Sequence, residues 1–295
     1  MVTKITPGQR VFGFFNTLIL LLIAFGCLAP IIHVLSGSLS DPQSLLAHEG
    51  FLIKPLGFTL KGYELVLSDK RILAGYGNTL FYVIASTCLG TFLTLLGGYA
   101  FSRKGVLWSN LMMFLITFTM FFSGGLIPFY MMVKGLGLVG SRWSLILPTA
   151  VSAFNLIIMR TALLEIPASL EESAKIDGAG HFTILFKIIA PLSKATLAVV
   201  VLFYGVFHWN SWFNASIFVS GKRELYPLQL IMNELLVQNQ TASLMAGSDV
   251  SGLTDVYKPL VKYCAIIVST LPLLLAYPFV QKYFVTGVMI GSIKG

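Results

Sequence analysis

At 295 residues, with 56% hydrophobic and only 11% charged residues, the chain is far from the composition of a soluble domain, in which about a quarter of residues are charged. The 20 basic residues exceed the 12 acidic ones, but they lie between apolar blocks and form no patch or stripe, which fits headgroup-facing flanks rather than nucleic acid. Cys27, Cys88 and Cys264 sit inside apolar runs and share no short spacing, which excludes a disulfide framework or a cysteine-based metal site.

A helix needs about 20 predominantly apolar residues to cross a bilayer core. Stretches that meet or approach this run from Val11 to Ser36, Ile72 to Phe101, Gly105 to Val133, Trp143 to Met159, Ala195 to Gly221 and Tyr263 to Gln281. The expected fold is therefore all-α, with six transmembrane helices in one domain, 1–295. The first stretch contains Ala24-Phe25-Gly26-Cys27, a faint lipoprotein-like string. It is too long for a cleaved leader and lacks a small-x-small exit, so it reads as an uncleaved span. Pro30, Gly124-Gly125, Pro128, Pro148 and Pro272 inside the stretches imply bundle packing and kinks. The fourth stretch is the shortest and extends through Arg160, whose side chain can reach an interface.

Six spans place both termini on one side. Ten basic residues fall on each side, so the raw count is a tie. The turn carrying Arg103-Lys104 is tight, and the opposite side holds the long loops and eight of the twelve acids. Both termini are accordingly expected in the cytoplasm.

The most informative loop, 165–192, lies between the fourth and fifth spans. Ser169 and Glu172 have capping-box spacing, Glu171 and Lys175 form an i, i+4 pair, and Gly178 suits the left-handed position past a helix end. Asp177 is expected to cap the following helical stretch, 182–190, which leads through Pro191 into span five. Local chemistry thus predicts helix, sharp turn, helix. An ordinary interfacial connection would satisfy the same chemistry equally well.

The string Glu171-Glu172-Ser173-Ala174-Lys175-Ile176-Asp177-Gly178-Ala179, with Pro191-Leu192 beyond it, resembles the EAA loop of permease subunits in bacterial binding-protein-dependent ABC importers. It departs at Ser173, where alanine is usual, and at Ala190, where leucine is common. The resemblance spans nearly the whole chain. F-S-G-G-L-I-P (Phe122 to Pro128), F-N-L-I-I-M-R-T (Phe154 to Thr161) and H-W-N-S-W-F-N (His208 to Asn214) resemble carbohydrate-type permeases. These are similar to the second membrane subunit of maltose importers, with subunits for alginate- or pectin-derived oligosaccharides nearest in likeness.

The resemblance implies a type I permease fold whose coupling helix docks in a cleft of an ATPase subunit. Glu171, Glu172, Ala174, Asp177, Gly178, Ala179 and Pro191 are the residues carried over to that role. It also implies a C-terminal tail, 283–295, whose Gly287, Gly291, Lys294 and Gly295 reach toward the ATPase. The implied partners are a second permease subunit, two ABC ATPase subunits carrying ATP and Mg, and an extracytoplasmic binding protein. No cofactor is expected on this chain, and no nucleic acid.

His208, Trp209, Asn210, Trp212 and Asn214 put aromatic faces and amides within seven residues, which suits a sugar path. The same residues suit an interfacial anchor and helix-to-helix hydrogen bonds. Five of the six spans carry no charge, which disfavours an ion-coupled carrier. The sequence has no G-x-x-x-x-G-K-S/T loop and no H-E-x-x-H, so a transport subunit rather than an enzyme is expected. A permease for a non-sugar solute is the nearest alternative.

Overall fold

The computed structural model describes residues 7–103, 105–236 and 254–292. Among them there are helices and no strand. In chain order these are α1 (Pro7–Ser38), α2 (Pro42–Ala47), α3 (Lys61–Ser68), α4 (Lys70–Ser102), α5 (Ser109–Phe118), α6 (Leu126–Gly135), α7 (Trp143–Ile146) and α8 (Ala153–Leu164). They continue as α9 (Ala168–Ile176), α10 (His181–Ile184), α11 (Ala190–Leu192), α12 (Lys194–Trp209), α13 (Phe213–Phe218), α14 (Leu228–Leu236) and α15 (Thr254–Ser292). A 3-10 turn, Leu147–Thr149, follows α7, and a π-helical turn, Leu185–Ile189, joins α10 to α11.

α1, α4 and α15 are long and apolar enough to cross a membrane unaided, and the count among the described residues reaches five when each bent pair is taken as one crossing. The bent pairs are Trp143–Thr149 with α8, at 46°, and His181–Leu192 with α12, at 86°. α1, α4 and α15 run on as single helices through their apolar stretches, with Pro30 inside α1 and Pro272 inside α15. The stretch expected as span three is instead divided. α5 and α6, ten residues each, are about 15 Å long. The backbone between them turns at Gly124-Gly125, with Gly125 at φ 83° ahead of Leu126 and Pro128 in the first turn of α6. Span six also begins earlier than hydropathy suggests: α15 starts at Thr254, because Asp255, Lys258, Pro259 and Lys262 are helical yet polar enough to hide from an apolar window.

The chain divides into two compact units, Met1–Lys70 with Glu234–Thr270 and Arg71–Asn233 with Leu271–Gly295. In the first unit, the end of α1, the turn into α2, α3 and the start of α15 share a core of Leu45, Leu52, Val66, Leu260 and Ala265. Asp41 caps α2 by accepting the Ser44 amide at 3.0 Å, with Pro42 opening the helix. His33 accepts the Leu52 amide on Nδ1 at 3.0 Å, so its Nε2 donates to the Tyr263 hydroxyl, also at 3.0 Å.

In the second unit, α4 is the mast. At one end its Asn78 amide donates to the Glu224 and Tyr226 carbonyls at 2.7 and 3.1 Å, and Tyr82 donates to the Leu225 carbonyl at 2.8 Å. Midway along, Gly90 lets the chain at Ala150 approach. A β-carbon there would lie 2.8 Å from the Ala150 carbonyl and 3.0 Å from the Tyr204 ring. At the far end, Leu95 and Tyr99 join Met159, Leu163, Ala174, Ile184, Leu185, Ile189, Val200 and Tyr204 in one buried cluster.

Candidate coupling site

The loop that carries the motif is anchored by one buried carboxylate. Glu171, in the first turn of α9, is 5% exposed. It accepts Arg103 Nη1 at 2.6 Å, Lys175 Nζ at 2.9 Å and the Tyr99 hydroxyl at 3.2 Å. Arg103 lies just past the end of α4, with its guanidinium 5.0 Å from the centre of the Tyr99 ring. Its Nη2 donates to the Leu163 carbonyl at 2.9 Å, in the last turn of α8. Arg160 of α8 answers by donating Nε to the Phe101 carbonyl at 2.9 Å, in the last turn of α4. Each arginine thus satisfies a carbonyl that the other helix's end leaves unpaired, where positive charge is also favoured.

Burial is the largest single influence on the Glu171 carboxyl and pushes it up. Hydrogen bonds from Lys175 and Arg103, with their two positive charges, together outweigh burial, so the carboxyl lies below its ordinary value of 4.5 and is ionised. Its partners are exposed unequally: Arg103 is 15% accessible at its side chain and Lys175 49%. The arginine contact is therefore the structural one, and the lysine contact is a surface addition.

α9 ends in a Schellman motif. The Ala179 amide reaches the Ala174 carbonyl at 2.9 Å and the Gly178 amide the Lys175 carbonyl at 3.0 Å, with Gly178 at φ 80° between them. Ala174 is buried and Ala179 packs on the same cluster, which supplies the apolar contact that accompanies this cap. Only glycine takes that φ without cost.

Two sequence expectations are corrected here. Ser169 and Glu172 form no capping box, because α9 already starts at Ala168 behind Pro167, with no side-chain cap. Glu172 is exposed instead. Asp177 closes α9 and does not open α10, whose N-cap position falls to Gly180. Pro191 sits just beyond the π-turn, at the start of α11, and Ser193 Oγ donates to the Ile189 carbonyl at 2.9 Å where the chain turns into α12.

The outer side of this anchored element carries large apolar side chains among exposed polar ones such as Glu172 and Asp177. Ile176 is 87% exposed and Phe182 70%, and Leu170 is also open. A groove of about 730 Å³ lies beside the clamp, lined by Tyr99, Arg103, Leu163, Pro167, Glu171 and His181 among others.

A family model described as the binding-protein-dependent transport system inner membrane component matches residues 86–290. The chain belongs to that family. It is 38% identical to the polygalacturonan/rhamnogalacturonan transport system permease protein YtcP of Bacillus subtilis (strain 168), over 94% of this chain and 96% of that one. It is 35% identical to Protein LplC of the same organism, over 98% and 97%. Among solved structures, a chain of a bacterial ABC transporter involved in the import of the acidic polysaccharide alginate superposes with a TM-score of 0.88 at 33% identity, covering 96% of this chain and all of that one. This permease is thus a membrane transport subunit with the ABC importer permease fold.

The other residues singled out in the permease sequence do not converge. His208 and Trp209 are buried, with the His208 ring stacked 6.4 Å from Tyr204 and Trp209 6.4 Å from Tyr76. Asn210 is exposed but spends its amide on the Val206 carbonyl of its own helix, at 2.9 Å. Trp212 is 38% exposed at the break before α13, where Asn214 is half-buried. Gly287 and Gly291 fall in the last turns of α15; Lys294 and Gly295 lie outside the described residues. Among the described residues no group of His, Cys, Asp and Glu is placed to hold a metal.

Sequence reasoning missed Arg103, Tyr99 and Arg160 as members of the site. For the two arginines the sequence signal is a charge at the end of an apolar stretch, which bears on orientation and on the length of the fourth span; Tyr99 has no such signal.

Proposed function

We propose that this chain is the permease subunit of an ATP-driven carbohydrate importer, and that α9 with its Gly178 turn receives the push from an ATPase subunit. The observation that carries this reading is the Glu171 clamp. A short helix held to the ends of α4 and α8 by a buried ion pair, with Ile176 and Phe182 open to a partner, transmits force instead of bending. Glu172, Asp177 and the exposed apolar side chains make the docking face. Glu171, Ala174 and Ala179 hold it to the bundle, and Pro191 begins the corner behind it.

Six crossings with both termini in the cytoplasm complete this reading, together with a second permease subunit, two ATPase subunits that bind ATP and Mg, and an extracytoplasmic binding protein. The tail residues Gly287, Gly291, Lys294 and Gly295 extend toward the ATPase pair. The relatives' own substrates, polygalacturonan or rhamnogalacturonan for YtcP and alginate for the solved transporter, support an acidic oligosaccharide as cargo. Trp212 and Asn214, at the break between α12 and α13, remain open to a passing sugar, whereas His208 and Trp209 serve packing.

The test is Gly178→Val in the complete importer reconstituted in liposomes. A β-branched side chain at φ 80° is strained by at least about 1–2 kcal/mol and deforms the turn. Sugar uptake per ATP hydrolysed is expected to fall about tenfold while the four-subunit assembly is still recovered. Normal coupling in an assembled variant would remove the assignment.

A further inference from the structure

A second cavity, of about 400 Å³, lies at the 46° bend between the Trp143–Thr149 segment and α8, against the side of α12. Ser152 is nine residues from Trp143 and eight from Arg160, or about 12 Å along a helix in either direction, which puts the bend near half the depth of a bilayer core. Backbone outside a helix is tolerated at that depth only when it is covered by protein or lines a wet cavity. One bond covers part of it: the Ser152 amide donates to the Tyr204 hydroxyl at 2.8 Å. The rest of the bend opens into the cavity.

The lining is unlike a lipid-facing surface. Phe154, Phe203 and Phe207 present ring faces, with Phe154 and Phe203 5.9 Å apart and Phe154 and Phe207 more than half exposed. Asn155 lies among them and is 4% exposed. Its backbone amide donates to Ser152 Oγ at 3.4 Å, but its side-chain amide has no partner among the described residues. The only outlet for that amide is the cavity it lines. An acyl tail there would leave an amide unsatisfied in hydrocarbon, which costs a few kcal/mol. An occupant with a flat apolar face and hydroxyls on its rim satisfies both halves of the site, the rings by contact and the amide by hydrogen bonds.

We propose that Phe154, Asn155, Phe203 and Phe207 form a subsite on the translocation path that holds one pyranose ring of the cargo. This rests on the carbohydrate reading above and deepens it by naming the place. Among the described residues the cavity lining has no cation, so these residues read ring faces and hydroxyls and leave a uronate carboxylate unrecognised. Neutral and acidic sugars of the same shape should therefore pass it alike.

The experiment uses the complete importer in liposomes with labelled trigalacturonate as the probe. Asn155→Leu, close in volume, is expected to lower kcat/KM for uptake about tenfold, the effect of one lost hydrogen bond in a dry site. A second readout replaces Cys27, Cys88 and Cys264 by alanine and introduces Phe207→Cys. Trigalacturonate supplied with its binding protein and ATP should then slow labelling of the new thiol by a small-thiol reagent several-fold. Unchanged uptake by Asn155→Leu, or labelling indifferent to saturating sugar in an importer that transports it, overturns the subsite alone. Loss of the second permease subunit from the purified Asn155→Leu complex assigns the cavity to subunit packing and also overturns it. If the parent importer carries no carbohydrate, the reading beneath the proposal fails, and the subsite with it.

Discussion

Two regions of the same helical unit treat their polar groups in opposite ways. Under the coupling loop, Glu171 has three donors and Arg103 reaches Glu171, Leu163 and Ser102 at once. Midway along α4 the buried hydroxyls of Ser86, Thr87 and Thr91, and near the end of α12 the His208 Nε2, have no hydrogen-bond partner among the described residues. A satisfied network is rigid, because every departure breaks something. An unsatisfied one in a dry interior has something to gain from moving. The satisfied end is thereby held in place, and the groups along α4 stand to gain from new partners.

The largest expected effect comes from breaking the rigid end. Glu171→Ala leaves the part-buried Arg103 without its carboxylate, which costs about 1–3 kcal/mol. α9 should come loose, with import reduced at least about tenfold and new protease cleavage within 165–179. A variant that imports normally with α9 still protected contradicts the clamp. Next comes the close approach at mid-span. Gly90→Ala places a β-carbon 2.8 Å from the Ala150 carbonyl, and overpacking of this kind costs about 1–3 kcal/mol, read as a lower Tm of the purified complex.

A pair of isosteric changes one turn apart sharpens the contrast itself. Thr94 shares a 2.7 Å hydrogen bond with the Tyr204 hydroxyl, so Thr94→Val should cost about 1 kcal/mol. Thr91 has no partner, so Thr91→Val should leave Tm unchanged or raised while slowing uptake. Equal Tm losses in the two variants would erase the distinction between the regions.

The smallest effect is that of pH. Because the Glu171 carboxyl is held below 4.5, its contribution is complete above that value and is lost only as pH falls through the lower, folded-state value. Amide exchange over 168–179, corrected for the intrinsic rate, should stay protected down to about pH 4.5. Loss of protection well above that pH would contradict the role given to the Glu171 carboxyl.

Apolar length, read from sequence, located every long helix and the loop between the fourth and fifth stretches, because burial in lipid is a property of composition over some twenty residues. It did not foresee that the third stretch divides at Gly124-Gly125, although both glycines had been noted as kink-formers. Local spacing was right for Gly178 and for the Glu171–Lys175 pair, whose chemistry lies within one turn. It failed for Ser169 and Asp177, because α9 starts behind Pro167, two residues earlier than a capping box at Ser169 would need, and Gly180 takes the next cap. The Arg103–Glu171 bond joins residues 68 apart, and nothing in either neighbourhood announces it. Asn155 was equally silent: an asparagine in an apolar helix reads the same whether it bonds to a neighbour or faces a void.

The right angle behind the coupling loop has a mechanical consequence. The segment His181–Leu192 meets α12 at 86°, so the two form a crank whose short arm, twelve helical residues, is about 18 Å long. Turning that arm by about 10° carries its free end about 3 Å sideways and twists α12 about its own axis by a like angle. The Phe203 and Phe207 rings ride on that shaft. A sideways displacement of that arm is thereby turned into rotation of α12, with no need for α12 to slide along its axis.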